Sequence, residues 1–123
     1  MDDANTLIPV NPAIENYMQK LLEKTGHAVL LEMEQLASLS SFPIVGRLIG
    51  AFLETQAKMV NAKRVFEFGS GYGYSAYWFA RAVGEGGRVI CSDSNPINCE
   101  RAEKYLSDAD LWKRLALRVG KAQ

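Results

Sequence analysis

The sequence predicts an α/β fold in which three parallel strands, joined by crossover helices, follow a set of N-terminal helices. Three observations predict it: apolar residues recur with a helical period in the first half of the chain, short strand-like runs follow from residue 64, and a glycine-rich turn separates the first run from a helix. Strand, helix, strand, helix, strand at this spacing indicates right-handed crossover units and a parallel sheet. The 123 residues suffice for one domain, which should bury roughly two thirds of the unfolded chain's surface.

The first helix is predicted from residue 12. Asn11 can cap it, Pro12 suits its first position, and Gly26 ends the run. Its apolar residues share one face at helical spacing: Ile14, Tyr17, Met18, Leu21 and Leu22.

Two more helices are predicted before the strands. The second covers 28–39 and is stopped by the turn at 40–43, and the third covers about 45–61. The third helix should turn one apolar face toward the core, formed by Ile49, Phe52, Leu53, Ala57 and Val60.

Strands and helices alternate in the second half. The strands are predicted at 64–68, 88–93 and 115–119, and the helices at 74–83 and from Pro96 onward. The first of these helices should carry its apolar face on Ala76, Phe79, Ala80 and Val83.

Composition narrows the classes of partner. Lys plus Arg and Asp plus Glu both number 14, so the chain lacks the basic excess that nucleic acid attracts. The longest uncharged runs, 35–46 and 68–80, hold 12 and 13 residues, short of the roughly 20 that span a bilayer, and no membrane partner is expected. The acidic start differs from a secretory signal, so a cytoplasmic location is expected.

Metal and thiol chemistry is not favoured. Cys91 and Cys99 are the only cysteines, and in a cytoplasmic chain we expect them as reduced, partly buried thiols. His27 is the only histidine, which removes most histidine-based metal and triad sites. We therefore predict no metal site.

The glycine-rich turn at 69–73 predicts a ligand site. A strand that ends in glycines before a helix leaves backbone N–H groups and the positive helix end facing one small space, which suits an anionic or carboxylate-bearing ligand. Asp93 ends the second strand, where a carboxylate can accept hydrogen bonds from ribose hydroxyls. Together they predict a nucleoside-containing cofactor. Alternatively, the glycines only allow a tight turn and Asp93 only caps the next helix.

The register of the glycines narrows the class of cofactor. A dinucleotide pattern starting at Gly69 needs glycine where Tyr74 stands, and one starting at Gly71 begins late relative to the strand. A nicotinamide cofactor is therefore disfavoured, and a Walker loop is excluded because no Gly-Lys-Ser/Thr follows. The remaining pattern is Glu67, Gly69, Gly71 and Gly73 at alternate positions.

These residues resemble a known family. The run from Glu67 to Ser75, EFGSGYGYS, resembles motif I of the class I S-adenosylmethionine (SAM)-dependent methyltransferases, and its ending is similar to that of the catechol and caffeoyl-CoA O-methyltransferases. The run DSNP at 93–96 and Val45-Gly46 with Gly50 are similar to other segments of that group. The resemblance implies a Rossmann-like methyltransferase half-domain, divided into an N-terminal helical segment at 1–43 and a truncated cofactor-binding domain at 44–123.

The resemblance also implies roles around the methionine part of SAM. Gly69 and Gly71 would let it approach the backbone, and Glu67 would help to organise its amino group. Ser75 and the amide of Val45 would hold its carboxylate.

For the nucleoside part, the resemblance implies that Asp93 takes the ribose hydroxyls and that Ser94 lies beside the adenine. Gln123 falls in the stretch that lines the adenine edge in the family. Lys121 departs from the family, since many relatives carry an acidic residue there.

The implied function is SAM-dependent methyl transfer to the hydroxyl of a small molecule. The family takes its metal ligands, its catalytic base and most acceptor contacts from the fourth strand onward, and this chain ends after the third. Its catalytic residues are therefore unknown, and the chain alone need not be active. The alternative is a noncatalytic, dimerising SAM-binding or assembly module.

The first strand should leave an open apolar edge, which proteins seldom tolerate. We expect a homodimer that covers it, through this edge or through the N-terminal helices. Alternatively, residues 1–40 fold back over the edge in a monomer.

Overall fold

The computed structural model describes residues 11–121. Its elements follow in the predicted order: α1 (Pro12–Leu22), α2 (Val29–Ser40), α3 (Gly46–Met59), β1 (Arg64–Phe68), α4 (Tyr74–Val83), β2 (Arg88–Asp93), α5 (Pro96–Asp108), a short 3-10 helix (Trp112–Arg114) and β3 (Leu115–Val119). The α/β fold is thus confirmed. The three strands and α4 have the predicted bounds, and α2 and α3 differ from theirs only at the ends.

The three strands form one parallel sheet in the order β1-β2-β3. α4 packs on β1 and β2, and α5 packs on β2 and β3. Right-handed crossovers that advance in one direction place both helices on one face of the sheet. Val89 and Cys91 of β2 point to that face and are buried, whereas Phe66 and Phe68 of β1 are 60% and 66% exposed on the other face. One face of the sheet is therefore covered and the other is open.

The core lies between α2, α4 and the covered face of the sheet. Its largest fully buried side chains are Trp78, Tyr72, Tyr77, Leu30, Met33 and Leu106. α4 is buried on more sides than the single predicted face, because α3 packs on one side of it and the sheet on the other. Tyr77 and Trp78 are therefore core residues, and Phe79 is only half-buried.

The predicted apolar face of α3 is wrong for most of its residues. Ile49, Phe52 and Val60 are exposed and Leu53 is half-buried, so that of this face only Ala57 is buried. The other buried residues of α3 are Gly50 and Glu54. Small residues face α4 because they allow its bulky aromatic side chains to lie close. A Cβ atom on Gly50 would overlap the indole of Trp78. Glu54 is buried there because Lys58 and Arg81 pair with its carboxylate.

α1 begins as predicted, since Asn11 accepts a hydrogen bond from the N–H of Ala13 at 2.9 Å and Pro12 follows. Its apolar residues are nevertheless exposed: Ile14, Tyr17, Met18 and Leu21. α1 packs on α3, and α2 packs on α5 and the core. The described part of the N-terminal segment thus packs on helices and the core, and residues 1–10, which the alternative of a fold-back monomer includes, lie outside the described residues.

No helix between residues 11 and 121 is long and apolar enough to cross a membrane.

Candidate functional site

A cavity of about 210 Å³ lies at the carboxyl ends of β1 and β2. Ligands of open α/β sheets bind at this edge. It is lined by Phe42, Pro43, Ile44, Val45, Gly69, Ser70, Gly71, Tyr72, Tyr74, Ser75 and Asp93. The fold therefore brings together five of the predicted site residues from three separate parts of the chain: Val45, Gly69, Gly71, Ser75 and Asp93.

The glycine turn takes a backbone shape that other residues rarely adopt. Gly69, Gly71 and Gly73 have φ angles of +70°, +56° and +92°. A Cβ atom on Gly69 would meet no atom within 4 Å, so the backbone there borders open space. At Gly71 a Cβ atom would lie 2.9 Å from the ring of Phe42, so this glycine also makes room for an aromatic side chain. A ligand can therefore approach the backbone most closely at Gly69.

The carboxylate of Asp93 organises the loops on both sides of the cavity. Oδ2 accepts a 2.9 Å hydrogen bond from the N–H of Gly71, and Oδ1 accepts bonds of 2.9 and 3.3 Å from the N–H of Asn95 and the side-chain amide of Asn98. The cap of α5 is Asn95, whose Oδ1 accepts from the N–H of Ile97. Asp93 is therefore not itself that cap.

Glu67 lies beside the cavity and is held by Ser75. The hydroxyl of Ser75 donates a 2.5 Å hydrogen bond to Glu67 Oε2, while Glu67 Oε1 is buried and has no partner among residues 11–121. The hydroxyls of Ser70 and Ser92 are also buried without a partner, and the N–H of Ser70 donates to the carbonyl of Ser92. Buried polar groups nearly always have a partner. These unpartnered atoms, called the orphan atoms below, lie at the strand ends and fit a site in which a ligand supplies their hydrogen-bond partners.

Three of the predicted residues do not line the cavity. Glu67 lies behind Ser75, which does line it, Ser94 is exposed, and Gln123 lies outside the described residues. Lys121, at the end of the described chain, is exposed. The predicted adenine contacts thus stay predictions.

The cavity has an aromatic wall that the sequence did not predict. Phe42 packs on the ring of Tyr72 at 4.8 Å between centroids, and Tyr74 lines the cavity beside Ser75. Tyr72 and Tyr74 are both buried. Phe42 directly precedes the Pro43–Val45 segment, but neither periodicity nor spacing shows that this segment folds onto the glycine turn.

A larger cavity of about 520 Å³ lies between α1, α2 and α3. It is lined by Gln19, Glu23, Leu31, Glu34, Gly46 and Arg47. It holds none of the predicted site residues and none of the orphan atoms. The smaller cavity is the candidate site because the glycine turn and the beginning of α4 meet there, and because its lining residue Ser75 holds the carboxylate that has an unpartnered oxygen.

The two cysteines are unsuited to nucleophilic chemistry. Both are free and buried. Burial raises the pKa of Cys91 to about 11 and also raises the pKa of Cys99, so both stay protonated thiols near neutral pH. Between residues 11 and 121, no group of three or more His, Cys, Asp or Glu side chains is placed to hold a metal ion.

Comparisons with known proteins agree with this geometry. The family model described as O-methyltransferase matches residues 11–123. A catechol O-methyltransferase of Niastella koreensis is 32% identical over 111 residues, which are 89% of this chain and 50% of that protein. A Mycobacterium tuberculosis protein of the same name is 37% identical over 73 residues, which are 59% of this chain and 33% of that protein.

Solved structures give the same result. A methyltransferase from Geobacter sulfurreducens superposes with a TM-score of 0.82 at 35% identity, covering 91% of this chain and 58% of that one. The O-methyltransferase TomG from Streptomyces achromogenes, in complex with SAM, superposes with a TM-score of 0.80 at 26% identity, covering 89% and 49%. The resemblance inferred from the motifs is thus confirmed, and the match begins at residue 11, earlier than the motifs alone indicated.

Proposed function

Because the chain belongs to the O-methyltransferase family, we propose that it binds SAM and serves the transfer of its methyl group to the hydroxyl of a small molecule. The chain spans about half the length of the Niastella relative, so the reaction, the cofactor and the acceptor are all parts of this proposal. The observation that carries it is the buried, unpartnered Oε1 of Glu67 beside the glycine turn. The SAM complex of TomG supports the choice of cofactor.

The methionine part of SAM is assigned to the space between two segments. The N–H of Val45 would donate a hydrogen bond to its carboxylate, and Ser75 would donate a second by turning its single O–H away from Glu67 Oε2. The positive beginning of α4 favours that negative charge. Glu67 Oε1 would accept a hydrogen bond from its ammonium group, which supplies the partner that the orphan oxygen lacks. The open backbone at Gly69 leaves room for the chain between these groups and the sulfur.

The ribose is assigned to Asp93. A carboxylate has about four sites for accepted hydrogen bonds. Gly71, Asn95 and Asn98 use three of them, so the remaining site would take one ribose hydroxyl, and a second hydroxyl would have to replace the long bond to Asn98. The adenine is assigned to Ser94 and Gln123.

Methyl transfer needs an acceptor oxygen in line with the sulfonium methyl group, so positioning supplies much of the rate. Bound SAM supplies the reactive methyl group. The residues above hold SAM from one side, and we assign no catalytic residue within this chain. The cavity of about 210 Å³ is smaller than the roughly 300–1,000 Å³ of complete small-molecule sites, which agrees with a half-site.

We further propose that the chain forms a homodimer. Apolar side chains are exposed on α1 and α3 and on the open face of β1, among them Tyr17, Phe52 and Phe68. On β1 the rings of Phe66 and Phe68 lie side by side, 4.9 Å apart between centroids. Exposed apolar patches are typical of protein interfaces. A second copy would cover either the edge of β1 or the N-terminal helices.

The proposed location is the cytoplasm. Two buried, free cysteines suit a reducing compartment, where thiols persist.

The experiment that tests the proposed function is calorimetric titration of SAM and S-adenosylhomocysteine into the purified chain. We expect dissociation constants of about micromolar size. Ser75→Ala removes a proposed carboxylate donor and should weaken binding about tenfold. Ser107→Ala, at an exposed position of α5, is the matched control and should bind like the wild type. A folded wild-type chain that releases no heat at millimolar ligand would contradict the proposed function.

A further inference from the structure

The carboxylate of Glu34, in α2, joins the beginnings of α3 and α4. Its Oε1 accepts hydrogen bonds from the hydroxyl of Tyr74 at 2.6 Å and from Nε of Arg47 at 2.7 Å. Its Oε2 accepts a bond from Nη2 of Arg47 at 3.2 Å. The side chains of Arg47 and Glu34 are 12% and 25% exposed, so water screens this pair only weakly. The two-pronged contact fixes the direction of the guanidinium group as well as its distance.

Arg47 is anchored on its other side by the end of α1. Its Nη1 donates to the carbonyls of Leu22, Glu23 and Thr25 at 3.2, 3.3 and 3.4 Å. Carbonyls at a helix C-terminus carry partial negative charge and attract a cation. Arg47 therefore cannot swing away without losing contacts to two elements.

Tyr74 remains a donor to Glu34 throughout the physiological range. Burial and the hydrogen bond to Glu34 both raise the pKa of Tyr74. The phenol thus keeps its proton, and the Glu34 contact holds the first residue of α4 in place.

Side-chain caps do not fix the beginnings of the two helices that Glu34 joins. α3 has no side-chain cap at its beginning, Val45 is exposed, and a Cβ atom on Gly46 would meet nothing within 4 Å. α4 also begins without a side-chain cap, at Gly73. The Glu34 contacts thus add a directed polar link between these two beginnings to the packing of α3 on α4.

The two segments carry the proposed carboxylate donors. Val45 lies two positions before Arg47, and Ser75 directly follows Tyr74. Resting on the proposed function, we propose that Glu34 is a positioning residue, which holds the amide of Val45 and the hydroxyl of Ser75 at the separation that the carboxylate of SAM requires. Glu34 itself would touch no part of the cofactor.

A merely structural role for Glu34 predicts a different result from a positioning role. A loss of general stability would weaken every ligand of the site alike. Loss of positioning would weaken only ligands that carry the amino-acid carboxylate. S-adenosylhomocysteine carries this carboxylate, whereas 5′-methylthioadenosine shares the adenosine and the sulfur but lacks it.

The test is titration of both ligands into the full chain and its variants, with melting curves recorded beside them. Glu34→Gln should weaken binding of S-adenosylhomocysteine on the order of tenfold, because the neutral amide loses the charge attraction to Arg47 and replaces one of the two acceptor oxygens with a donor. The same variant should change the affinity for 5′-methylthioadenosine less than about twofold. Tyr74→Phe removes one hydrogen bond and keeps the ring. It should also weaken S-adenosylhomocysteine more than 5′-methylthioadenosine, by a smaller factor than Glu34→Gln does. Glu32→Gln is the control on the same helix, because Glu32 is exposed and meets only Lys104 at 3.6 Å.

The outcomes separate this inference from the proposed function. Equal losses of affinity for both ligands would overturn the positioning role and leave the proposed function standing. The same conclusion would follow if Glu34→Gln and Tyr74→Phe both bound S-adenosylhomocysteine with wild-type affinity. If Glu34→Gln fails to fold, the selectivity of Tyr74→Phe decides. A wild-type chain that binds neither ligand would overturn the proposed function, and the positioning role with it.

Discussion

The N–H of Gly71 donates a 2.9 Å hydrogen bond to Oδ2 of Asp93, which connects the glycine turn after β1 to the end of the neighbouring strand. The turn is thus shaped by the protein itself, since Asp93 holds both this loop and the N–H of Asn95 before any ligand enters. A loop that is already ordered loses less conformational entropy when a ligand binds. This relationship gives Asp93 a structural role beside its proposed role toward the ribose.

Asp93→Ala should therefore destabilise the chain as well as abolish binding of S-adenosylhomocysteine. It leaves the N–H groups of Gly71 and Asn95 without their acceptor, at a cost of about 1–3 kcal/mol in the free energy of unfolding. Urea unfolding monitored by tryptophan fluorescence measures this cost. Asp108→Ala, at an exposed position of α5, should change the free energy of unfolding by less than about 0.5 kcal/mol. Equal stability of the two variants would contradict the role of Asp93 in the loop.

Glu67→Gln should have opposite effects on binding and on stability. Oε1 of Glu67 is buried without a partner in the ligand-free chain, and an unsatisfied buried charge lowers stability. A neutral amide can still accept the bond from Ser75, so the variant should melt at the same temperature as the wild type or a few degrees above it. Binding of S-adenosylhomocysteine should weaken at least about tenfold, because the acceptor for the ammonium group is lost. A variant that melts lower and binds normally would show that Glu67 serves the fold alone.

Gly50→Ala should destabilise the contact between α3 and α4. Alanine is the better helix former by about 1 kcal/mol, but its Cβ atom would overlap the indole of Trp78. Overpacking of this kind costs about 1–3 kcal/mol, so the net free energy of unfolding should fall. Gly86→Ala is the matched control, because a Cβ atom there meets nothing within 4 Å. A more stable Gly50→Ala variant would mean that α3 shifts freely on α4.

Neither cysteine should react with iodoacetamide in the folded chain at pH 8. Burial raises the pKa of Cys91 to about 11, so only about one thiol in a thousand is ionised at that pH. The pKa of Cys99 is raised by burial too, and Asp93 adds to the shift. Because both shifts disfavour the thiolate, the rate of labelling should rise with pH above 8 and on unfolding. Intact mass measurement should find two adducts in guanidinium and none in buffer; rapid labelling of the folded chain would contradict the burial of these thiols.

The homodimer predicts a solution mass of twice 13.6 kDa by sedimentation equilibrium. A charge on the contact surface should yield a monomer, and we expect this from Tyr17→Asp on α1 or from Phe68→Asp on β1. Lys20→Asp, at another exposed position of α1, is the control and should leave the mass unchanged. The variant that dissociates the dimer identifies the surface. A monomeric wild type would contradict the proposal.

Most of the secondary structure could be predicted because its determinants are local. Asn11 with Pro12 and Asn95 with Pro96 begin their helices through hydrogen bonds that span two positions. The glycine turn could likewise be predicted, because positive φ angles at alternate positions strongly favour glycine. The wrong predictions concern which faces of a helix are covered by a neighbouring element. Ile49 and Phe52 lie on the apolar face of α3, but the periodicity of apolar residues does not say whether a neighbour packs on that face or solvent meets it.

For the candidate site, too, the local features could be predicted and the contacts between distant residues could not. The order of the elements, the glycine turn and the acidic end of β2 could be predicted, since each depends on residues a few positions apart. The hydrogen bond between Glu34 and Tyr74, which lie 40 positions apart, and the packing of Phe42 against the glycine turn could be seen only in the folded chain. Such contacts depend on how separate helices pack, which is set by the shapes of all the side chains between them. The spacing of apolar and polar residues along the chain does not indicate that packing.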